Sequence, residues 1–366
     1  MGITGAAIFA STFVAGLILV GLARGVSRRI GFVDRPGGRK AHREPIPYGG
    51  GAAMFAAFAG ACLAGLALAH AQPGWLPEGL KGFIVTHRAG MLMRSGQVIS
   101  LLAGGFVLLA MGVADDARAL SPNLKLAVQV GVAAAMVALG HRVTLFIDWP
   151  WVGWVVTVIW IVGITNAFNF LDNMDGLSAG VGLVIAVIFA AVAFWTGHLF
   201  IGAALLAMAG VLGGFLVFNW HPASIFMGDG GSLFIGFTLA MLAVDNTFYH
   251  PTGAADPRWF VVVMPLALFA VPIYDVASVT VIRLRRGQSP FVGDRSHFSH
   301  RLVERGLAPW AAVLVIYLAT MATAGTLLVL VGGPAFALVQ TAAVVLLLGI
   351  LEHVGRGGGG DDTVIR

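Results

Sequence analysis

Cysteine is almost missing from this chain of 366 residues: Cys62 stands alone, which excludes an intramolecular disulfide and any thiol-based metal cluster. Charge is scarce as well. Asp, Glu, Lys and Arg make up 11% of the residues against 58% hydrophobic, and the mean hydropathy is +0.90. That balance excludes a soluble domain of ordinary size and indicates a polytopic membrane protein. The formal charge of +5 does not point to nucleic acid, because the basic residues sit beside apolar stretches, where they orient a chain in the bilayer. No basic segment precedes the first apolar run, as a secretory signal requires; Arg24, Arg28 and Arg29 follow it instead. That run reads as a retained anchor with its N-terminus outside. No internal repeat is visible, which counts against a transporter built from two related halves.

What the chain has in abundance is apolar sequence. Stretches near the ~20 residues that cross a bilayer fall at 3–23, 49–70, 97–114, 123–140, 149–168, 177–197, 199–218, 232–249, 259–282, 307–331 and 333–353. The fold class expected is all-α: a polytopic integral membrane protein of about 11 transmembrane helices, with a single domain over 1–355 and a short disordered tail at 356–366. The connections 24–48, 115–125 and 283–306 and the tail hold 17 of the 22 Lys and Arg. Cytoplasmic loops carry that excess, so the expected topology has the N-terminus outside and the C-terminus in the cytoplasm. The outside connection 71–96 is long enough for an interfacial hairpin or helix.

The scarce polar residues are not scattered. Asn166-Ala-Phe-Asn169-Phe-Leu-Asp172-Asn173-Met-Asp175-Gly176 gathers three Asn and two Asp in one turn between spans. Asp115-Asp116, the Gly-Asp-Gly-Gly turn around Asp229, and His297 with His300 in a basic stretch likewise fall where one span gives way to the next. Ionisable groups at membrane depth are expensive and are kept mainly where they act. On the expected topology every one of these motifs emerges on the cytoplasmic side, which suggests one enzyme site assembled from several loops.

Five motifs, in order from Asp34 to Gly306, resemble those of the polyprenyl-phosphate N-acetylhexosamine-1-phosphate transferases. They are Arg39-Lys40-Ala-His42 with Pro45, Pro47 and Gly49-Gly50; Asp115-Asp116 with Leu120-Ser-Pro and Lys125; Asn166 through Leu177; Asn219 with Pro222-Ala223 and Phe226 through Ser232; and Asp294-Arg295-Ser-His297-Phe-Ser-His300-Arg301-Leu302. The resemblance implies transfer of a sugar-1-phosphate from a UDP-N-acetylhexosamine to undecaprenyl or another polyprenyl phosphate, with release of UMP. It implies Mg²⁺ or Mn²⁺ as cofactor, membrane lipids as surroundings, and the bacterial cytoplasmic (inner) membrane as location, with the active site on the cytoplasmic face. The branch that starts O-antigen, teichoic acid or related polymers fits better than the peptidoglycan-precursor branch, whose histidine motif is more compact. A membrane transporter of an anionic solute is the rival of another class, and a homodimer within the membrane is the assembly expected. Where members of the family usually carry a further histidine, this chain has Ser299.

The expected roles follow from the chemistry of bringing two anionic phosphates together. Asp229, on its glycine-rich turn, is the metal carboxylate, with Asn169 implied as second ligand through its amide oxygen. Asp115 and Asp116 diverge by roughly 100° on a helix, so one, Asp115, serves the lipid phosphate and the other holds the metal or Lys125. Asp172 and Asp175 complete the catalytic candidates; they share a face if their stretch is helical, and Asp175 alternatively caps the next helix. Lys40, His42, Lys125, Asn166, Asn219, His297, His300 and Arg301 are the substrate-binding candidates. Asn166 and Asn173 are alternatively scaffolding, and Arg283, Arg285 and Arg286 read as a topology signal. Asp275 either faces the site from a helix broken at Pro272 or pairs with an arginine. Asp148, Asp245 and Asp256, on the outside set, are expected to be solvated.

Overall fold

The computed structural model describes residues 2–35, 44–71, 74, 78–143, 149–246, 260–289, 296–332, 340 and 346–347. Lys40, His42, Asp148, Asp256, Asp294, Arg295, the tail and nearly all of the span expected at 333–353 lie outside the described residues.

The chain forms α1 (Gly2–Ile30), β1 (Val33–Asp34), β2 (Ile46–Pro47), α2 (Gly50–Ala71), α3 (Glu78–Met93), α4 (Ser95–Ala117), α5 (Pro122–Ala138), α6 (Pro150–Leu171), α7 (Leu177–Trp195), α8 (Leu199–Asn219), α9 (Gly228–Asn246), α10 (Phe260–Leu268), α11 (Ala270–Arg285), α12 (Phe298–Glu304) and α13 (Pro309–Gly332). Apart from the two-residue antiparallel pair β1–β2, in which Val33 faces Pro47, the described fold is helical as expected. Seven of these helices, α1, α2, α4, α6, α7, α8 and α13, are long and apolar enough to cross a membrane. The structure therefore supports a polytopic helical membrane protein. α5 is shorter, at 17 residues, and α9 carries an acid near each end.

The span expected at 259–282 is two helices, α10 and α11, that meet at Phe269. The interruption lies ahead of Pro272, the proline that suggested it: Pro272 sits in the first turn of α11, where a missing N–H costs nothing, while Pro265 lies inside α10.

α9 is the axis of the bundle. It is buried along almost its whole length and packs against α4 and α6 most extensively, then α2, α7 and α8. A helix apolar on every side must be enclosed by protein rather than by one core face. Glycines let its first turn approach its neighbours backbone to backbone: a Cβ on Gly112 of α4 would lie 2.2 Å from the Gly230 nitrogen, and one on Gly51 of α2 would lie 2.4 Å from the Gly231 nitrogen. The outer helices turn apolar side chains outward instead, as Val14, Ile18, Leu22 and Val26 do on α1. In a bilayer such a face meets hydrocarbon.

Candidate active site

The end of the bundle where α9 begins collects the polar motifs. Asp115 and Asp116 lie in the last turn of α4 and diverge as adjacent helical residues do. Asp115 Oδ1 accepts the Leu120 N–H at 2.7 Å, which closes the connection to Ser121. Ser121 caps α5 by accepting the Leu124 N–H at 3.3 Å, with Pro122 in the first helical turn. That cap fixes where Lys125 starts: its Nζ is 2.7 Å from Asp115 Oδ2 and 3.3 Å from Asp229 Oδ2. Lys125 thus pairs with Asp115, not Asp116. Asp116 Oδ1 instead accepts the Asp229 N–H at 3.0 Å and so caps the otherwise unpaired start of α9. Gly228 makes room for it at φ 69°, since a Cβ there would meet Asp116 Oδ2.

Asp229 itself stands in the first turn of α9, where the helix dipole favours a carboxylate. Asn169 of α6 donates its amide N–H to Asp229 Oδ1 at 3.0 Å and lies as close to Ser232 Oγ, one turn along α9. Asp115, Lys125, Asn169 and Asp229 therefore form one hydrogen-bonded chain drawn from four helices.

The segment after Leu171 is not helical, so Asp172 and Asp175 do not share a helix face: Asp172 ends α6 and Asp175 sits in the turn before α7. Burial first, then the charges of Asp229, Asp116 and Asp175, hold the Asp172 carboxyl well above the usual carboxylate range. Asp175 does not cap α7, whose N-cap is Gly176 at φ 75° without a side-chain bond. Its Oδ2 accepts from His221 Nδ1 at 2.9 Å and from the Ala223 N–H at 3.0 Å. Asn219 is spent within the same turn. It is 3% exposed, accepts the Gly176 N–H at 2.9 Å and donates to the Ile225 carbonyl at 2.9 Å. Tyr317 of α13 donates its hydroxyl to the Gly176 carbonyl. Asn219 thus clamps this turn to the Ile225 backbone. Asn166 likewise engages Gln129 of α5 through both amide atoms and donates to the Val162 carbonyl at 2.8 Å, one turn below the site. These bonds tie α6 to α5.

His297 and its neighbours form a second cluster against the same turn. Ser299 Oγ donates to Asn173 Oδ1 at 2.5 Å, so this serine ties α12 to the turn before α7. The His297 ring lies 6.1 Å from that of Phe170, the residue after Asn169, and 6.3 Å from that of His300. Asp275 accepts from His297 Nδ1 at 2.8 Å and from the Phe298 N–H at 2.7 Å. It pairs with a histidine, then, not an arginine. Arg301 donates to the Ser296 carbonyl at 2.5 Å and to Ser278 Oγ at 3.1 Å, and Arg283 stacks over Phe170. Arg283, read as a mere topology signal, is buried beside the site.

Asp245 corrects the expectation for the opposite end. It is not solvated: its Oδ1 lies 2.7 Å from His141 Nδ1, and His141 Nε2 lies 2.7 Å from Ser100 Oγ, with the histidine 1% exposed. Sequence reasoning also passed over Ser232, His221 and Gln129. Ser232 lies one helical turn from Asp229 and Gln129 one turn from Lys125, a spacing that could have found both. His221 and Asp275 meet their partners only through long-range packing.

The first cluster is rich in carboxylate and poor in cation. Lys125 is shared between Asp115 and Asp229, while Asp116 and Asp172 add two further carboxyl groups to the field at Asp229. Among the described residues no three or more His, Cys, Asp or Glu side chains gather as a metal-ligand group. A hard divalent cation that keeps waters and substrate oxygens needs only one or two protein oxygens, and Asp229 with Asn169 could supply them. Asn169 now presents its N–H to Asp229; a half-turn of the amide exchanges that donor for the oxygen.

Comparison with known proteins brings these residues together with a described family. Residues 98–247 match the model of glycosyl transferase family 4. The chain is 31% identical over 319 residues to a probable undecaprenyl-phosphate N-acetylglucosaminyl 1-phosphate transferase of Bacillus subtilis, covering 85% of this chain and 80% of that protein. It is 34% identical over 325 residues to decaprenyl-phosphate N-acetylglucosaminephosphotransferase of Mycobacterium tuberculosis, covering 81% and 75%. To undecaprenyl-phosphate alpha-N-acetylglucosaminyl 1-phosphate transferase of Escherichia coli O157:H7 it is 26% identical over 324 residues, covering 84% and 79%.

Proposed function

The chain belongs to the polyprenyl-phosphate N-acetylhexosamine-1-phosphate transferases of glycosyl transferase family 4, and from that premise we propose that it moves N-acetylglucosamine-1-phosphate from its UDP derivative to undecaprenyl or another polyprenyl phosphate, releasing UMP. The observation that carries this reading is the hydrogen-bonded chain of Asp115, Lys125, Asn169 and Asp229 at one end of an otherwise apolar bundle. A site at the end of membrane helices suits one substrate that arrives from water and one that arrives from lipid. A transporter would place such groups near the bilayer midplane. The Lys and Arg bias supports a cytoplasmic site in a bacterial cytoplasmic membrane, at the start of cell-envelope polymer synthesis.

In the reaction an oxygen of the lipid phosphate forms a bond to the phosphorus that bears the sugar, and the bridging P–O bond to UMP breaks. Positioning and charge supply most of the catalysis in such a transfer. Lys125, steered by Asp115 at 2.7 Å, supplies the cation that orients the lipid phosphate. Asp115 positions more than it deprotonates, because a phosphate monoester is already largely ionised at neutral pH. His297, His300 and Arg301, with Lys40 and His42 of the first motif, receive the donor diphosphate. Asp116 holds the first turn of α9 by accepting the Asp229 N–H, and so fixes where the Asp229 carboxylate stands. Asp175 shapes the turn between the two clusters, and Asp172 is the further carboxyl group beside Asp229. The all-oxygen donor set fits Mg²⁺ or Mn²⁺ at Asp229 and Asn169, and such a cation would neutralise charge on the diphosphate and on the departing UMP.

Purified protein, undecaprenyl phosphate, Mg²⁺ and a panel of UDP-amino sugars test the proposal by UMP release, with and without chelator and with Asp229→Asn. UMP that requires both lipid and metal and disappears in the variant is the expected result. No UMP from any donor, with the protein folded and binding lipid phosphate, would overturn it.

A further inference from the structure

Asp275 lies in α11, in none of the motifs that carry the chemistry, yet it is buried to 1% exposure. A buried carboxylate without partners is costly, and this one has two donors. Its Oδ2 accepts from His297 Nδ1 at 2.8 Å, and its Oδ1 accepts the Phe298 N–H at 2.7 Å. The second bond satisfies the start of α12, where His297 is the N-cap residue but supplies no side-chain cap of its own. One carboxylate therefore fixes both the backbone that carries His297 and the ring itself.

The geometry points to Asp275 as a positioning residue for phosphoryl transfer, acting through His297 on the donor diphosphate. With Nδ1–H committed to Asp275, Nε2 is the nitrogen left for substrate. The ring is walled by Phe170 and His300, so it cannot swing to present its other nitrogen without losing those contacts. Phe170, against which the ring packs, follows Asn169, which bonds Asp229, so one helix end carries a contact of each cluster. Arg283, stacked on Phe170, and Arg301, bonded to Ser296, make this side of the site cationic while Lys125 serves the other. A diphosphate that arrives from water meets the first pole, and a lipid phosphate the second.

This assignment rests on the transferase reading, and the experiment separates the two. Initial rates of UMP release are measured against both substrates for the wild type, Asp275→Asn, His297→Ala and the double variant. Asn keeps an acceptor for the Phe298 N–H but carries no charge. Asp275→Asn is expected to raise KM for the UDP-sugar about ten- to hundredfold, the usual worth of a hydrogen bond to a charged group, with KM for the lipid phosphate unchanged. The double variant should be no worse than His297→Ala, because the two act as one unit. Additive losses, or equal changes in both KM values, would show Asp275 to be merely structural. Should Asp275→Asn fail to fold, His297→Asn retains an N–H for Asp275 without Nε2, and a wild-type donor KM in that variant overturns the assignment. A wild-type protein that releases no UMP refutes the transferase reading instead.

Discussion

Replacing Gly112 by alanine would place one methyl group where α4 and α9 touch backbone to backbone. The new Cβ would lie 2.2 Å from the Gly230 nitrogen, 2.4 Å from the Gly230 Cα and 2.5 Å from the Asp229 carbonyl carbon, against the 3.4 Å at which ordinary contact begins. None of these atoms is the end of a flexible side chain, so the helices must part. A displacement of about 1 Å at a catalytic group costs on the order of a hundredfold in rate, and overpacking of this kind costs about 1–3 kcal/mol of stability. The shift would lengthen the 3.0 Å bond between Asp116 and the Asp229 N–H and move Asp229 relative to Lys125 and Asn169. The measurement is kcat/KM for UMP release in detergent, beside thermal unfolding of the same preparations. Gly163→Ala on α6 serves as control, since a Cβ there meets nothing within 4 Å. Gly112→Ala with wild-type kcat/KM would refute the view that this close approach sets the geometry of the site.

Lys125→Met removes the donor shared by Asp115 and Asp229 and is expected to lower kcat/KM for lipid phosphate about ten- to hundredfold, with KM for the UDP-sugar unchanged; loss confined to the sugar substrate would reassign the residue. His141→Ala leaves Asp245 and Ser100 without their buried partner at the far end of the bundle and should cost about 1–3 kcal/mol of stability, read by thermal unfolding. Its folded fraction should turn over at the wild-type rate. Asn219→Ala breaks the clamp on Gly176 and Ile225, so both stability and kcat should fall while both KM values hold; a selective rise in one KM would make Asn219 a substrate ligand after all.

The apolar spans, the helical class and the residue types of the site were legible in the sequence because each is a local property: span length is set by bilayer thickness, and polar residues collect where spans end. Partner choice could not be read. Adjacent acids diverge on any helix, but only the packing of α5 beside α4 and α6 gives Lys125 to Asp115, and only that of α9 beside α4 leaves Asp116 to the backbone of Asp229. The bonds of Asn219 to Gly176 and Ile225 were equally invisible, and Asp245 looked solvated and is buried against His141. Asp275 stood as an isolated acid until residues 23 positions away folded back onto it. Hydropathy and spacing fix which residues reach the end of a span; which of them touch depends on contacts between segments far apart in the chain, and those exist only once the helices have packed.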